Sequence, residues 1–395
     1  MKTITLSDVS VNGRGYYGIG ASAVPFSDDL YTYLRITDIN DDGTLNMADL
    51  KSVDDEKACE YLLQPNDIVF ARTGASTGRN YFYDGSDGKF VYAGFLIKFS
   101  IDPSKINPKY VKYFCLSQQY KDWIHSFNTG STRGNINAQT LGKMPIPELE
   151  REKQDALVEI LSSIDAKIKQ NNAINENLEQ QAQAYFQELF VDNADPEWTT
   201  GTISDLGTVV GGSTPSKAKP EYYTETGIAW ITPKDLSINK SKFVSHGEND
   251  ITELGLKNSS AVIMPEGTVL FSSRAPIGYI AIATDEVTTN QGFKSVVPKQ
   301  EIGTPFVYFF LKNTLPVIEG MASGSTFKEV SGSTMKKVPA VIPDAETLAK
   351  FSNFCAPIFA QQRILEEQNQ SLAVLRDNLL PKLMSGEIDV SDVQL

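Results

Sequence analysis

The sequence predicts an α+β protein in which two β-rich mixed domains are separated by two long helices. Two observations support this prediction. Segments of the chain recur at a constant spacing, and each copy ends in a stretch whose apolar residues are spaced as on one face of a helix. We expect the two helices to pair as an antiparallel coiled coil, with the two copies related by a pseudo-twofold axis.

The internal repeat is the strongest feature of the sequence. Residues 127–132 (FNTGST) return as 321–326 (MASGST), and the Lys-Met-Pro that starts at 143 returns as Lys-Val-Pro at 337. Residues 63–70 also resemble 263–270. Such a period is too long for the short units of a solenoid, so it indicates a duplicated unit of one domain and one helix.

The repeat divides the chain into four segments. We assign them as first domain 1–147, central long helix 148–196, second domain 197–345 and C-terminal long helix 346–395. Within the domains, short apolar runs between Gly, Asn, Asp and Pro turns predict strands at 68–70, 90–92 and 261–263. Longer stretches at 108–126 and 304–320 predict helices.

The two helical stretches carry residues at the alternating spacings of a heptad repeat, as in a coiled coil. In the second stretch we expect Pro357 to start or kink the helix, and Pro381 and Gly386 to end it. The predicted seam consists of Leu157, Leu161, Ile164, Ile168, Asn175, Leu178, Phe351, Ile358, Leu365, Asn369, Leu372 and Leu379.

Two asparagines interrupt this apolar seam at equivalent positions, Asn175 and Asn369. A buried asparagine can fix the register of paired helices at a cost in stability. Local drift of the apolar stripe would instead leave both side chains exposed to solvent. The sequence does not decide between these two alternatives.

Composition limits the class of protein. The chain has 395 residues and a formal net charge of -13. The acidic excess is concentrated in the helical stretches, so each nearly neutral domain can still present a basic surface to phosphate. Three distant cysteines indicate neither a disulfide framework nor a zinc site. Without a membrane-length apolar run or a secretory signal, we expect a cytoplasmic protein that contacts no membrane.

Motifs for catalysis are missing from the sequence. The two histidines, His125 and His246, form no metal-binding pattern. Residues 207–217 are Gly-rich like a phosphate-binding loop but lack its Gly-Lys-Ser/Thr ending. There is no dinucleotide-binding fingerprint, no nucleophile elbow and no methyltransferase tetrapeptide. Together with the duplication, these absences favour recognition over catalysis.

Several stretches resemble a known family. They are 17–22 (YGIGAS), 70–76 (FARTGAS), 212–216 (GSTPS), 227–236 (GIAWITPKDL), 270–278 (LFSSRAPIG) and 378–388 (NLLPKLMSGEI). Taken jointly with the duplication, they resemble the specificity subunits of type I restriction-modification systems over essentially the whole chain.

The resemblance implies two target-recognition domains, each reading one half of an interrupted site in double-stranded DNA. It implies that the helices set the spacing and dock two methylase subunits. These partners would supply S-adenosylmethionine and adenine methylation, and restriction subunits would use ATP and Mg²⁺ to translocate and cleave. This chain is then expected to be non-catalytic and to hold no metal or cofactor, while its acidic helices suit a basic methylase surface.

Candidate DNA contacts follow from side-chain chemistry. Arg, Lys, Asn and Gln read base edges, whereas Lys, Arg, Ser and Thr also hold phosphates. These residue types concentrate in Gly-rich loops. The candidates are Arg72, Thr73, Arg79, Ser131, Thr132, Arg133, Asn135, Asn137, Ser213, Thr214, Lys217, Lys219, Arg274, Asn290, Gln291, Ser325, Thr326 and Lys328. Ordinary solvated loops are the alternative, and we expect Tyr16 and Tyr17 to pack in the core rather than to stack on bases.

Three other functions are alternatives to a specificity subunit. A stand-alone duplicated DNA-binding protein would need no methylase partner and no acidic docking helices. A fused methylase or nuclease would need the motifs that are missing here. A pure coiled-coil scaffold would not need two large globular domains.

Overall fold

The computed structural model describes residues 2–127, 135–324 and 328–388. By its internal contacts the chain divides into two compact units. Unit 1 comprises Met1–Lys167 with Leu372–Leu395, and unit 2 comprises Ile168–Ser371. Each unit therefore contains one mixed domain together with parts of both long helices.

In its described residues, the first domain has short strands and three short α-helices. Its strands are β1 (Thr3–Thr5), β2 (Tyr16–Tyr17), β3 (Ala23–Pro25), β4 (Tyr31–Leu34), β5 (Lys51–Val53), β6 (Asp67–Ala71), β7 (Asn80–Tyr83), β8 (Phe90–Tyr92), β9 (Leu96–Ser100) and β10 (Pro145–Pro147). Its helices are α1 (Pro108–Phe114), α2 (Gln118–His125) and α3 (Ala138–Gly142). The long helix α4 (Arg151–Gln187) follows and continues into a π-helical turn, Glu188–Asp192.

The second domain repeats this composition. Its strands are β11 (Thr199–Thr202), β12 (Gly207–Gly211), β13 (Tyr223–Thr224), β14 (Ile228–Ile231), β15 (Phe243–Val244), β16 (Asn249–Ile251), β17 (Val269–Ser273), β18 (Ile277–Ala283), β19 (Thr288–Thr289), β20 (Lys294–Pro298) and β21 (Pro339–Ile342). Its helices are α5 (Ile203–Leu206), α6 (Pro233–Ile238), α7 (Glu253–Lys257), α8 (Thr304–Gly320) and α9 (Gly332–Lys336), and the long helix α10 (Ala345–Ser385) follows.

The sheet topology of the two domains is the same, as the internal repeat predicts. The sheet order β3-β5-β4-β8 in unit 1 corresponds to β13-β16-β14-β19 in unit 2. In both, the third strand pairs antiparallel with the second and parallel with the fourth. Likewise β2-β9-β6-β7 corresponds to β12-β20-β17-β18, to which unit 2 adds β15. The antiparallel pairs β1-β10 and β11-β21 also correspond.

Each domain has an aromatic core to which both long helices contribute buried residues. In unit 1, Phe70, Phe99 and Tyr110 are fully buried and share a cluster with Leu157 of α4. In unit 2, α10 contributes Phe351 to the corresponding cluster, which is rich in phenylalanine. Since burial of apolar surface is the main favourable term in folding, each long helix is part of the domain core that precedes it.

Three local predictions were wrong. The stretch 108–126 forms two helices, because Ser117 accepts a bond from the Tyr120 amide and starts a new helix. The run 261–263 is not a strand, and Val262 is half exposed. Helix α10 begins at Ala345, well before Pro357, and it continues past Pro381 to Ser385. Both prolines are exposed, so water can solvate the carbonyl that each leaves without a donor.

The long helices run antiparallel where they touch within unit 2. Asn171 Nδ2 donates to Asn369 Oδ1 at 2.9 Å, and Tyr185 contacts Phe354 with ring centroids 4.5 Å apart. Residue numbers on α10 thus fall as those on α4 rise. Within unit 1, Arg376 of α10 pairs with Asp165 of α4 at 3.1 Å. A coiled coil over the full length of both helices, and the pseudo-twofold axis, stay predictions.

The predicted seam residues face inward. Leu157, Leu161, Ile164, Phe351, Ile358 and Leu365 are buried, while Ile168, Asn175, Leu178, Asn369, Leu372 and Leu379 are partly buried. Asn175 and Asn369 are therefore not exposed by drift of the stripe. Over the described ranges, no helix has the length and apolar character needed to cross a bilayer.

Candidate nucleic-acid interface

In unit 1, the loop after β6 lies beside the segment that leads into α3. The Arg72 carbonyl accepts a hydrogen bond from the Ile136 amide at 2.9 Å. Thr73 and Asn135 form an antiparallel backbone bridge. The loop then turns at Gly74, whose φ of 74° lies in the left-handed region that favours glycine. These contacts bring predicted site residues from two distant segments together.

Unit 2 places the equivalent segments side by side. The carbonyl of Ser273, at the end of β17, accepts a bond from the Val330 amide at 3.0 Å. Val330 precedes α9 as Ile136 precedes α3, and both side chains are buried. The duplicated sequence therefore folds into a duplicated loop arrangement, with one copy in each domain.

A side chain caps the short helix in both copies. Asn137 Oδ1 accepts from the Thr140 amide at 2.8 Å, and Ser331 Oγ accepts from the Thr334 amide at 3.0 Å. Such caps satisfy a free backbone donor and are worth about 1 kcal/mol. Asn137, predicted as a DNA contact, thus has a structural role as well.

The side chain of Arg72 stacks on Tyr17. Its Cζ lies 4.9 Å from the ring centroid, and the Tyr17 hydroxyl accepts a bond from the Ala138 amide at 3.2 Å. Tyr17 is 43% exposed, so the prediction that it packs in the core is wrong. It lies on β2, an edge strand, where fewer neighbours cover a side chain. The half-buried Tyr16 has the exposed Arg14 over its ring at 5.0 Å.

The side chain of Arg79 forms hydrogen bonds within unit 1. Its Nε and one terminal nitrogen donate to the two carboxylate oxygens of Asp41, at 2.7 and 3.1 Å. The other terminal nitrogen donates to the Ile39 carbonyl at 3.2 Å. This two-point pair joins two loops of unit 1.

Hydrogen bonds organise the Gly-Ser-Thr loop after β12. The Ser213 amide donates to the Thr289 carbonyl at 2.8 Å, and the Ser213 carbonyl accepts from the Trp230 indole at 3.0 Å. Thr214 and Gln291, both predicted site residues, bond to each other through their side chains. This pairing brings the segment 213–214 next to 290–291.

Asn290 has a turn-forming role in that same loop. Its Oδ1 accepts from the Gly292 amide at 2.8 Å. This side-chain acceptor holds the turn between β19 and β20 and is therefore used by the fold.

A charged group that the sequence did not predict lies beside Arg274. Glu329 contacts Arg274 at 3.5 Å and Lys294 at 3.8 Å. Burial lowers the pKa of Lys294, whose side chain is mostly covered, and Glu329 opposes that shift. No sequence signal identifies Glu329 or Lys294, because their partners lie far away along the chain.

Three of the remaining predicted residues are surface lysines. Lys217, Lys219 and Lys328 are exposed, and Lys219 lies 3.7 Å from Glu221. Such surface lysines are typical phosphate contacts. Ser131, Thr132, Arg133, Ser325 and Thr326 lie outside the described residues.

A buried charged cluster attaches the second domain to both long helices. Lys242 Nζ lies 2.8 Å from Glu179 Oε2 on α4 and 2.9 Å from Gln362 Oε1 on α10. The ring of Phe359 lies under the same ammonium group, at 3.5 Å. Burial lowers the pKa of Lys242 to about 8, so it stays charged at neutral pH.

Two further residues complete this cluster. Glu366 of α10 accepts from the backbone amides of Lys242 and Phe243, at 2.9 and 3.0 Å. Lys312 of α8 binds Glu179 from the other side. Burial alone would raise the pKa of Glu179, but the two lysines hold it below its usual value. The carboxylate is therefore ionised at neutral pH.

In the part of the chain that the structure describes, no three His, Cys, Asp or Glu side chains are grouped to hold a metal ion. His125 is exposed, and His246 lies 3.4 Å from Asp250.

Comparison with known proteins identifies relatives of this architecture. The family model described as "Type I restriction modification DNA specificity domain" matches twice, at residues 28–180 and 196–373. The two matches cover both copies of the repeat and much of both long helices.

Two curated relatives show how far the similarity extends. The specificity subunit of the type I restriction enzyme MjaIX from Methanocaldococcus jannaschii is 41% identical over 169 residues, which are 42% of this chain and 39% of that subunit. The HindI specificity subunit from Haemophilus influenzae is 21% identical over 91% of this chain and 96% of its own.

A solved structure supports the fold. The S subunit of a type I restriction-modification system from M. genitalium has a TM-score of 0.56 at 18% identity. That comparison covers 97% of this chain and 95% of the other.

Proposed function

This chain belongs to the type I restriction-modification DNA specificity family, as a specificity subunit with two such domains, and we propose that each domain reads one half of an interrupted double-stranded DNA site. The duplicated loop arrangement carries this proposal. Each copy presents polar side chains on a loop that hydrogen bonds hold next to a sheet, which is how recognition residues are positioned on DNA.

The two copies offer different side chains at their loops. The first has Arg72 and Asn135, and the second has Thr214, Gln291 and Arg274. Arg suits guanine, and Asn or Gln suits adenine. Two domains with one fold and different loop residues would read two different half-sites.

The long helices would dock two methylase subunits. Exposed acidic side chains such as Glu159, Glu176 and Glu367 lie on these helices, where they would repel DNA phosphates and attract a basic protein surface. The methylase subunits would bind S-adenosylmethionine and methylate adenine, and restriction subunits would use ATP and Mg²⁺. This chain would contribute recognition and no catalytic group.

Genome-wide mapping of methylated adenine tests the proposal. The full chain is co-expressed with its methylase subunits in a host without adenine methylation. We expect one interrupted motif with two fixed halves. Replacing 197–345 with the second domain of a relative should change only one half, whereas replacing residues before 148 should change only the other. A continuous motif, or changes in both halves from one exchange, would contradict the proposal.

A DNA-binding measurement distinguishes a specificity subunit from a stand-alone DNA-binding protein. The phosphate term dominates affinity, and the acidic total charge weakens binding by the isolated chain. We therefore expect tight, sequence-selective binding only after the methylase subunits are added. Equal affinity with and without them would favour a stand-alone DNA-binding protein.

A further inference from the structure

We propose that Arg72 reads a guanine in the half-site of the first domain, and that Tyr17 holds its guanidinium ready for that contact. This inference rests on the proposed function and assigns one base contact within it. It is supported by the contacts of Arg72, whose guanidinium stacks on a tyrosine, whereas those of Arg79 and Arg274 pair with carboxylates.

Contacts on three sides fix the position of Arg72. Its amide donates to the Phe95 carbonyl at 3.0 Å, and its carbonyl accepts from Ile136 at 2.9 Å. Its guanidinium lies over the Tyr17 ring, which the Ala138 amide holds through the hydroxyl group. A side chain ordered before binding loses less conformational freedom when it meets a ligand.

The guanidinium of Arg72 has no acidic partner among the described residues, unlike that of Arg79 or Arg274. Within the same ranges, its Nε is buried and makes no hydrogen bond. A guanidinium group is planar and carries several N–H donors. In this loop it is suited to a ligand that offers two neighbouring hydrogen-bond acceptors.

The surroundings favour a base over a phosphate. Tyr17 is 43% exposed and Phe95 is 61% exposed, and both flank Arg72 at the edge of the sheet. Arginine can hold either group, but aromatic surface suits contact with bases, which have flat π faces that phosphates lack. The O6 and N7 acceptors of guanine match two parallel donors of arginine.

Among its described residues, the second domain has no equivalent stack of an arginine on a tyrosine. Ser273 takes the backbone position of Arg72, since its carbonyl accepts from Val330 as that of Arg72 accepts from Ile136. The neighbouring Arg274 is bound to Glu329. An arginine stacked on tyrosine therefore distinguishes the first half-site from the second.

The test uses the full chain assembled with its methylase subunits. Binding is measured by competition between duplexes that differ at one base pair of the first half-site. In Arg72→Gln we expect the preference for guanine at one position to fall roughly 10- to 100-fold. Preferences in the second half should not change. Tyr17→Leu should weaken the preference for guanine at that same base pair, because it removes the ring on which Arg72 stacks.

Arg14→Gln is the matched control. It removes one positive charge and one arginine-tyrosine contact from the same edge of the sheet, and it should leave every base preference unchanged. Thermal unfolding of each variant shows whether it folds. If Arg72→Gln does not fold, Tyr17→Leu still tests the assignment through the same base pair.

The outcomes separate this inference from the proposed function. Uniformly weaker binding with unchanged base preference in Arg72→Gln would indicate a phosphate contact and overturn the inference alone. Loss of preference at a position that is not guanine would also overturn it. If the unmodified complex shows neither an interrupted motif nor sequence-selective binding, the proposed function fails and the inference fails with it.

Discussion

Lys242 and Glu179 form a largely buried ion pair inside unit 2, with Nζ 2.8 Å from Oε2. The lysine side chain is only 7% exposed. The pair joins the second domain to α4, and Gln362 extends the contact to α10. Because water has little access to this pair, it cannot take the place of either partner when that partner is removed.

Removal of the lysine should destabilise unit 2. In Lys242→Met we expect the free energy of unfolding to fall by about 1–3 kcal/mol, because the largely buried Glu179 carboxylate loses one of its two cations and keeps Lys312. Urea unfolding followed by tryptophan fluorescence measures this. A Trp123→Phe background restricts the signal to Trp198 and Trp230, both in unit 2.

Lys257→Met provides the control for this prediction. Lys257 pairs with Glu253 on the surface, where its side chain is 72% exposed. Exposed pairs are worth about 0–1 kcal/mol, so the unfolding midpoint should hardly move. Equal losses in the two variants would show that the buried cluster does not stabilise unit 2.

The contribution of Lys242 to the free energy of unfolding should change with pH in the alkaline range. Its pKa is about 8 in the folded chain, because of burial, and about 10.4 when unfolded. Between these values the unfolded state binds more protons, so stability from this group rises with pH. The difference in unfolding free energy between wild type and Lys242→Met should grow by about 2 kcal/mol from pH 8 to pH 10. A constant difference would contradict the assigned pKa.

The asparagine pair between the long helices should cost stability. Asn171 is fully buried, its Oδ1 makes no hydrogen bond among the described residues, and its Nδ2 donates to Asn369. In the double variant Asn171→Leu and Asn369→Leu, we expect unfolding free energy to rise by about 1–3 kcal/mol. Calorimetry measures the change, and a decrease would mean that the pair stabilises the fold.

Glu329 should limit the affinity of the second domain for DNA. It lies between Arg274 and Lys294, so Glu329→Gln leaves two cations without their partner. We expect affinity for duplex DNA to rise up to about tenfold at 0.1 M salt, and the log-log salt slope to steepen by about 1. Titrations of the assembled complex at several salt concentrations measure both.

The control for Glu329 is Glu253→Gln, which also removes one surface carboxylate paired with a lysine. An equal gain in affinity there would mean that only net charge matters. An unchanged slope in Glu329→Gln would show that Arg274 and Lys294 do not approach phosphate.

Sequence reasoning predicted the periodic parts of this molecule well. The heptad positions Leu157, Leu161 and Phe351 are buried, because helical spacing alone puts them on one face. It failed at Pro357 as a helix start, because α10 begins earlier, at Ala345, and includes this exposed proline. It also failed at Tyr17, whose exposure depends on which strand lies at the edge of a sheet.

The candidate site was predicted only in outline. Gly-rich loops with Arg, Asn and Thr pointed to Arg72, Asn135 and Thr214, and the fold brings each next to another predicted residue or to a tyrosine. Arg79 and Asn137 have the same chemistry, yet the fold uses them for an ion pair and a helix cap. Residue type alone cannot distinguish a side chain that can contact a ligand from one whose hydrogen bonds stabilise the fold.

The sequence by itself determined the duplication, the two long helices and the family, because each of these is a pattern in chain order. Only the tertiary structure decided that Arg72 stacks on Tyr17, that Glu329 restrains Arg274 and that Lys242 joins a domain to Glu179. These contacts join residues far apart in the chain, and no local spacing encodes them. They depend on which strand ends and helix faces the fold brings within a few ångströms of each other.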